Sequence, residues 1–417
     1  MEPGVAPPPL GRAGVSGEAG APFSPDDFRD ARSCGPDALA ALVAGAGLRR
    51  VAMLAWRDLD DPEAGGSELH AHEIATRWAA AGVDVVLRTS RVDGQAREIR
   101  RDGYAAVRRH GRYSVFAAAP FDLATGRHGR VDGLIEIWNG MPFLSPLWFR
   151  GPRTVFLHHV HAEMWQMVLG HVPRLAAAGR LFEGRLAPRL YRRTPVVTLS
   201  ESSRREIIEM LGLRPENVTV VPPGIDGRFS PAGERSRHPL LVAVGRLVPV
   251  KRFDRLVAAA ARMAPSHPEL EVVIVGEGYE RPALEQAISA AGVADCVRLA
   301  GRVPDEGLVE LYRKAWAVVS TSVREGWGMT LTEAAACGTP AVASRIAGHL
   351  DAVEDGDSGL LFDSDEELVT LLDRLIRDDL LRARLAKGAL ERARELTWDA
   401  SAAGALSVLA AEACRLE

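Results

Sequence analysis

The stretch from His238 to Gly278 reads HPLLVAVGRLVPVKRFDRLVAAAARMAPSHPELEVVIVGEG. Two apolar runs of strand length, LLVAV and EVVIV, flank a segment whose apolar residues recur with the period of a helix. A strand, a helix and a second strand joined by short polar turns form the unit from which parallel sheets are built. The same alternation continues as far as Arg345, so this half of the chain predicts a doubly wound α/β domain.

The first half of the chain predicts a second domain of the same class. The apolar run RRVAMLAW (Arg49–Trp56) precedes a loop, a helical pattern and the strand-like run VDVVLRTS (Val83–Ser90). Further strand-like runs are GLIEIWNG, RTVFLHH and TPVVTLS, and each ends at residues that can carry chemistry. The predicted fold is therefore two doubly wound α/β domains whose strand ends face each other across a cleft.

Changes in composition predict where these domains begin and end. Residues 1–48 open with a Pro/Gly/Ala-rich stretch and predict a disordered tail. Residues 49–225 form the predicted first domain and residues 226–396 the second, with the linker-like stretch PPGIDGRFSPAGERSRHP at their junction. Residues 397–417 predict a C-terminal helix that folds back on the first domain.

The bulk composition argues against several classes of function. Hydrophobic residues make up 47% of the 417 residues and charged residues 25%, which is the balance of a globular protein. The formal net charge of −4 argues against general binding of nucleic acid. The cysteines lack the spacing of a metal site and predict reduced thiols in a cytoplasmic protein. They are Cys34, Cys296, Cys337 and Cys414.

The sequence leaves open whether the protein touches a membrane surface. No apolar run approaches the roughly 18 to 20 residues that a membrane-spanning helix needs. The N-terminus lacks the basic start and apolar centre of a signal peptide. The stretch GRLFEGRLAPRLYRR (Gly179–Arg193) sets arginines beside Leu, Phe and Tyr. It predicts either a peripheral contact with the inner membrane face or a solvated helix with a buried apolar side.

Two basic residues follow the first strand of the second domain. Arg246 comes directly after the run LLVAVG, and Lys251 lies near the start of the next helical segment. A cation at a strand end and another at a helix start can converge on one anion, helped by the helix dipole. A sugar diphosphate would suit this arrangement, and the alternative is two solvated cations in a loop.

The stretch VREGWGMTLTEAAACGTP (Val323–Pro340) places two glutamates around a glycine-rich turn. Gly326 and Gly328 allow a ligand to approach the backbone, and the helix start after them offers free N–H groups. Glu325 can accept hydrogen bonds from sugar hydroxyls, and Glu333 can bind a pair of vicinal hydroxyls such as those of a ribose. The alternative for Glu333 is a capping box with Thr330.

Two further motifs lie in the first domain. The stretch GGSE begins with Gly65 and Gly66 at a predicted helix start, where they can cradle a phosphate or an acceptor. The preceding Asp58-x-Asp60 predicts an acidic surface loop, with a divalent metal between phosphates as the alternative. In FLHHVHAEMW, a histidine after the strand is expected to bond a sugar hydroxyl or the transition state, and a metal site lacks a third ligand. The GEG turn that ends at Gly278 lacks the third glycine of a dinucleotide site, which argues against NAD.

These motifs together resemble those of the family-4 glycosyltransferases, which have the GT-B fold of two Rossmann-like domains. The resemblance rests on VVPPGID, VGRLVPVKRFDRLV, VVIVGEG, LAGRVPDEGLVELYRKA and EGWGMTLTEAAACGTPAVAS, and more loosely on AGGSE. It covers roughly residues 49 to 400. Pro223 stands where this family often has asparagine in the hinge motif.

The resemblance implies a role for each matching residue. Arg246 and Lys251 would hold the diphosphate, Glu325 the donor sugar, and Glu333 the ribose. His158 would lie near the sugar, with His159 and His161 as alternatives. The remaining positions implied for the donor site are Gly65, Gly66, Arg302, Val303, Gly326, Gly328, Met329 and Thr330.

The resemblance also implies the reaction. A retaining glycosyltransferase moves a sugar from a nucleotide-diphosphate sugar to an acceptor hydroxyl, by front-face attack and without an essential metal or other cofactor. The acceptor would be a polysaccharide, a lipid, a small sugar or a natural-product aglycone. A nucleotide-sugar epimerase with the GT-B fold and a non-catalytic nucleotide-sugar sensor are the alternatives.

Overall fold

The computed structural model describes residues 36–126, 129–160, 177, 179 and 181–416. The tail predicted for residues 1–48 therefore lies outside the described residues up to position 35. For the remainder the prediction is wrong, because Pro36–Ala46 forms a helix, α1. Leu39 and Leu42 on this helix are buried in the core of the first domain.

The first domain is an eight-stranded sheet with helices on both faces. Its strands lie in the order β3-β4-β2-β1-β5-β6-β7-β8, and all pairs are parallel except β3 with β4. The strands are β1 Arg50–Leu54, β2 Asp84–Thr89, β3 Glu98–Arg101, β4 Tyr104–Arg108, β5 Gly133–Ile137, β6 Arg153–Phe156, β7 Val196–Thr198 and β8 Val218–Val220. The helices after α1 are α2 Gly66–Ala80, α3 Val115–Ala124, α4 Ser145–Trp148, a π-helical turn Phe182–Leu186, α5 Ala187–Tyr191 and α6 Glu201–Leu211; a 3-10 turn, Pro215–Asn217, precedes β8.

The second domain is a six-stranded, fully parallel sheet in the order β11-β10-β9-β12-β13-β14. Its strands are β9 Leu240–Val244, β10 Glu271–Val275, β11 Val297–Gly301, β12 Ala317–Ser320, β13 Ala341–Ser344 and β14 Gly359–Phe362. Its helices are a 3-10 turn Pro249–Lys251, α7 Phe253–Met263, α8 Arg281–Ala290, α9 Asp305–Lys314, α10 Met329–Ala336, α11 His349–Ala352, α12 Asp365–Arg377 and α13 Asp379–Ala393.

The last helix, α14 (Trp398–Leu416), packs against the first domain. Leu406 and Leu409 lie in the same buried cluster as Leu42 of α1. The indole N–H of Trp78 in α2 donates to the Ala402 carbonyl at 2.9 Å. The chain therefore leaves the first domain, builds the second and returns to the first.

Strand ends of the two sheets approach each other where the domains meet. In a parallel sheet the loops after the strands lie along one edge, and these are the loops that cross between the domains here. Arg302, directly after β11, donates from Nη2 to the carbonyl of Pro62 in the loop after β1 at 2.5 Å. Among the described helices, none combines the length and the apolar character that crossing a bilayer requires.

Candidate active site

Lys251 and Glu325 form an ion pair at the carboxyl edge of the second sheet. Lys251 ends the 3-10 turn after β9, and its Nζ donates to Oε1 of Glu325. Ser322 Oγ donates to the same oxygen at 2.9 Å. Burial favours the neutral acid, but the charges of Lys251 and His349 and the hydrogen bonds outweigh it, so the pKa of Glu325 lies below its usual value. The site thus holds a carboxylate beside a cation.

The glycine turn brings the backbone of the second domain against the first. A Cβ added to Gly326 would lie 2.7 Å from the carbonyl oxygen of His158, so only glycine allows this approach. Gly328 has a φ of 102° and directly precedes α10, whose first residue is Met329. The N–H groups of this first turn, which includes Thr330, therefore lie beside the pair formed by Lys251 and Glu325.

The predicted capping box at Thr330 is wrong. Gly328 is the residue before α10, and no side chain caps the helix there. Glu333 lies past the first turn, and its carboxylate accepts from the Tyr312 hydroxyl at 3.2 Å. Burial raises the pKa of Glu333 to about 7, although the hydrogen bond from Tyr312 works in the opposite direction. Glu333 is thus free of a capping role and is the side chain here whose charge changes near neutral pH.

Gly65 and Gly66 of the first domain face loops of the second domain. A Cβ on Gly65 would lie 3.7 Å from Nε of Arg246, and one on Gly66 would lie 3.3 Å from Sδ of Met329. Arg246 also donates weakly to the carbonyl of Glu63 at 3.4 Å. The turn is fixed by Glu68, whose Oε2 accepts from the Gly65 N–H at 2.8 Å. Sequence reasoning missed Glu68, although its position three residues after Gly65 is the spacing of such a cap.

The structure places His158 of the HHVH run against the glycine turn of the second domain. His158 follows β6 and contacts Gly326, and its ring Nε2 lies 3.3 Å from Nδ1 of His70. His70 is completely buried on α2, and burial, then the charge of His158, lower its pKa well below the usual value. His161 lies outside the described residues. His70 was missed because nothing in the sequence pairs it with a strand 88 residues away.

Arg302 and Val303 occupy the end of β11, where the resemblance places the nucleotide base. Arg302 is exposed and bridges to Pro62, as described above. Val303 is half-buried and packs against the cluster that contains Trp327 and Leu331. Arg302 and Arg246 thus contact neighbouring carbonyls, those of Pro62 and Glu63, in the same loop of the first domain.

The acidic loop after β1 is not the surface loop that the sequence predicts. Asp58 is only 1% exposed and accepts from Nε of Arg108 at 2.6 Å. Asp60 is paired with Arg108 and, at 2.6 Å, with Arg101. Burial alone would raise the pKa of Asp60, but its arginine partners lower it below the usual value. In the described ranges, no group of three or more His, Cys, Asp or Glu side chains is placed to hold a metal ion.

Two family models match consecutive parts of the sequence. Residues 64–228 match the model described as Glycosyltransferase Family 4, and residues 228–392 match Glycosyl transferases group 1. A D-inositol 3-phosphate glycosyltransferase of Frankia alni is 30% identical over 383 residues, which cover 82% of this chain and 94% of that protein. The chain belongs to the family-4 glycosyltransferases.

Other relatives with the same name align with this chain over similar or shorter lengths. The Thermobispora bispora protein is 30% identical over 393 residues, covering 83% of this chain and 90% of its own length. The Acidothermus cellulolyticus protein is 34% identical over 267 residues, and this alignment spans 59% of the present chain and 56% of that one. This family member is accordingly a glycosyltransferase of the GT-B type.

Solved structures show the same fold at low sequence identity. Sucrose-phosphate synthase from Thermosynechococcus elongatus superimposes with a TM-score of 0.72 at 20% identity, covering 85% of this chain and 96% of that one. HepE of Anabaena in complex with UDP and glucose gives a TM-score of 0.65 at 20% identity, covering 84% and 96%. The predicted fold of two Rossmann-like domains in the GT-B arrangement is confirmed.

Proposed function

We propose that this glycosyltransferase moves a sugar from a nucleoside-diphosphate sugar to an acceptor hydroxyl with retention of anomeric configuration. The observation that carries the proposal is the cluster around Lys251 and Glu325. It combines a cation, a carboxylate and the start of α10, and Gly65 and His158 of the first domain face it across the cleft. A diphosphate matches the cation and the helix start, and sugar hydroxyls match the carboxylate.

The charges suit the bond that breaks. As the anomeric C–O bond of the donor cleaves, positive charge develops on the sugar and negative charge on the departing diphosphate. Arg246, Lys251 and the N–H groups at the start of α10 stabilise the diphosphate without reorganising during the reaction. The acceptor oxygen bonds to the anomeric carbon from the face that the diphosphate leaves, and its proton goes to a phosphate oxygen. No metal or other cofactor takes part in this scheme.

The acceptor is proposed to bind to the first domain, beside Gly65 and Gly66. Its class is a sugar, a lipid or a small molecule with a free hydroxyl. The relatives named for D-inositol 3-phosphate make that compound the first acceptor to test.

Single substitutions in the ion pair test the site. Lys251→Ala and Glu325→Ala are each expected to lower kcat/KM at least about a hundredfold, since each removes stabilisation of the leaving group or of the sugar. Transfer from UDP-, GDP- and ADP-sugars, chosen by the thermal stabilisation that each gives, provides the measurement. Lys387→Ala, which removes an exposed lysine that pairs with Glu391, is the matched control. Near-normal transfer by either folded ion-pair variant would refute the assignment.

The same assays separate the proposed transferase from the alternatives. A transferase consumes the donor at a rate that depends on acceptor, whereas an epimerase releases free nucleotide without one. A sensor would bind the nucleotide sugar and consume none. Full activity in the presence of a chelator is expected, and a strict need for a divalent cation would contradict the metal-free scheme.

Peripheral contact with a membrane is a further part of the proposal. Phe182 and Tyr191 pack into the first domain, which fits the buried side that the sequence analysis allowed. Leu181, Leu186 and Leu190 are exposed instead, on the segment that carries Arg185 and Arg189. Exposed leucines beside arginines suit an anionic lipid surface. Sedimentation with phosphatidylglycerol vesicles is expected for the wild type and not for a Leu186→Ser/Leu190→Ser variant.

A further inference from the structure

A cationic pocket lies at one edge of the first domain's sheet, away from Lys251 and Glu325. Its volume is about 400 Å³. Only basic residues line it: Arg91, Arg97, Arg108, Arg109 and His110. Such a concentration of one charge is unusual in a chain whose net charge is −4.

The pocket forms where neighbouring strands end. Strands β2 and β4 are parallel, so Arg91 just after β2 lies beside Arg108 at the end of β4. The backbone N–H of Arg91 donates to the carbonyl of His110 at 2.9 Å. The backbone N–H of Arg108 donates to the carbonyl of Arg97, just before β3, at 2.7 Å. Main-chain hydrogen bonds therefore hold these basic residues around one opening.

The aspartates near the pocket are engaged by Arg108 and His110 of its lining or by the neighbouring Arg88. Asp58 and Asp60 pair with Arg108, which is completely buried and forms the floor. Asp122 pairs with Arg88 at 2.7 Å and with His110 at 3.0 Å. These ion pairs neutralise the charge of Arg108 and hold the floor in place. The aspartates therefore do not balance the charge of Arg91 and Arg97.

Arg91 and Arg97 provide the excess charge. Both are exposed at the opening, and Arg109 beside them pairs with a carboxylate oxygen of Glu98 at 3.9 Å. Within the ranges that the structure describes, the guanidinium groups of Arg91 and Arg97 have no ion-pair or hydrogen-bond partner. Two adjacent guanidinium groups without an anion between them repel each other, and a phosphate dianion can accept paired hydrogen bonds from both.

The pocket lies at the same edge of the sheet as the loop after β1, which reaches the candidate active site. The loop after β1 runs from Asp58 and Asp60 at the pocket floor to Pro62 and Glu63, whose carbonyls accept from the second domain. In the sheet, β4 lies two strands from β1. Because neighbouring strands are spaced by about 4.8 Å, the pocket lies on the order of 10 Å from the end of β1.

We propose that this pocket binds a phosphate group of the acceptor. The inference rests on the proposed transfer reaction and adds a requirement to it: the acceptor carries a phosphate group that reaches this pocket while its hydroxyl lies beside Gly65 and Gly66. Arg91 and Arg97 grip the phosphate, and Arg109 contributes from the side.

Phosphate binding to the full-length protein tests the pocket directly. Inorganic phosphate is titrated calorimetrically into protein saturated with the nucleoside diphosphate that stabilises it most, so that the donor site is occupied. Losing two charge-assisted contacts in Arg91→Ala/Arg97→Ala is expected to weaken phosphate binding at least about tenfold. An Arg214→Ala/Arg298→Ala variant removes the same charge from exposed surface positions and is expected to bind like the wild type.

Equal phosphate affinity in the wild type and in Arg91→Ala/Arg97→Ala would overturn the proposal. The measured phosphate affinity is independent of the transfer reaction, because the titration needs no turnover. If no nucleoside diphosphate binds the protein, the titration is run without nucleotide. Failure of the transfer assay with an intact phosphate site would refute the proposed function alone. If the wild type transfers the sugar normally but its phosphate binding does not depend on Arg91 and Arg97, the pocket alone is refuted.

Turnover identifies the source of the phosphate. Donor consumption is compared with phosphorylated disaccharides, with the same disaccharides after dephosphorylation, and with phosphatidylinositol vesicles. Stimulation by a phosphorylated disaccharide indicates a soluble phosphosaccharide acceptor. Stimulation by the vesicles indicates a lipid headgroup. In either case Arg91→Ala/Arg97→Ala is expected to raise the acceptor KM about tenfold or more and to leave the donor KM unchanged. A variant with an unchanged acceptor KM would contradict the assignment.

Discussion

Burial raises the pKa of Glu333, and we expect this to make donor binding depend on pH. The pKa of Glu333 is raised to about 7, from 4.5 for an ordinary glutamate, so in the free protein its protonated form predominates below that pH. The contribution of protonated Glu333 to the free energy of unfolding is fully present below pH 4.5 and is lost as the pH rises through about 7. Ribose hydroxyls donate best to the ionised form, so binding and ionisation are coupled.

We therefore expect the affinity for a nucleoside-diphosphate sugar to rise with pH up to about 7 and then level off. Below that pH the dissociation constant should increase by up to about tenfold per pH unit. Calorimetric titration between about pH 5.5 and 8.5 measures it. Glu333→Gln carries no titrating group and should show a flat profile. A flat profile in the wild type would exclude Glu333 from the nucleotide site.

His70 is expected to position His158. His70 is buried, its pKa is held low by burial, and its Nδ1 faces Nε2 of His158 at 3.3 Å. No hydrogen-bond partner of His70 Nε2 is found in the part of the chain that the structure describes. His70→Phe keeps a ring against Phe156 and Trp398 and removes the polar contact.

For His70→Phe, kcat should fall about tenfold, the donor KM should change little, and the unfolding temperature should be maintained. Steady-state kinetics and a thermal melt separate these effects. His70→Gln, which retains a polar atom, should restore part of the rate. If the phenylalanine variant turns over like the wild type, His70 has only a packing role.

At the scale of elements, strands and helices follow from local sequence, but the partners of individual side chains do not. The runs LLVAV and EVVIV predict β9 and β10, since apolar strands bounded by turn residues are a local signal. The capping interpretation of Glu333 failed because α10 begins at Met329, ahead of Thr330, and the partner of Glu333, Tyr312, lies on another helix. The helix α1 was assigned to a tail because a Pro- and Gly-rich stretch precedes its buried leucines.

The candidate site shows the same division. Lys251, Glu325 and the glycine turn were identified by motif, and their ion pair at one sheet edge follows from strand order. Glu68 and His70 support the site through contacts that only the packed structure creates. The pocket of Arg91 and Arg97 escaped notice because its residues belong to three different strand ends.

For the whole molecule, Asp351 joins the two domains. Its carboxylate accepts from the backbone N–H groups of Glu201 and Ser202, at 2.9 and 3.1 Å, and so caps α6 of the first domain from α11 of the second. An anion at a helix start stabilises that helix and here also holds the domains together. Asp378 caps α13 by accepting from Leu381 at 2.8 Å, entirely within the second domain.

Asp351→Ala and Asp378→Ala should each lower the free energy of unfolding by about 1 kcal/mol. Only Asp351→Ala should also loosen the arrangement of the domains and enlarge the radius of gyration of the nucleotide-free protein. Chemical denaturation and small-angle X-ray scattering provide the two measurements. Equal scattering profiles for the two variants would show that Asp351 serves α6 alone.

The return of α14 to the first domain affects how the protein can be re-engineered. The first domain is discontinuous in sequence, because α1 and α14 pack together in its core although they lie at opposite ends of the described chain. A chimera that exchanges acceptor specificity therefore needs two junctions, one near residue 225 and one near residue 397. A chimera joined only at the first junction would pair one protein's α14 with the other's core.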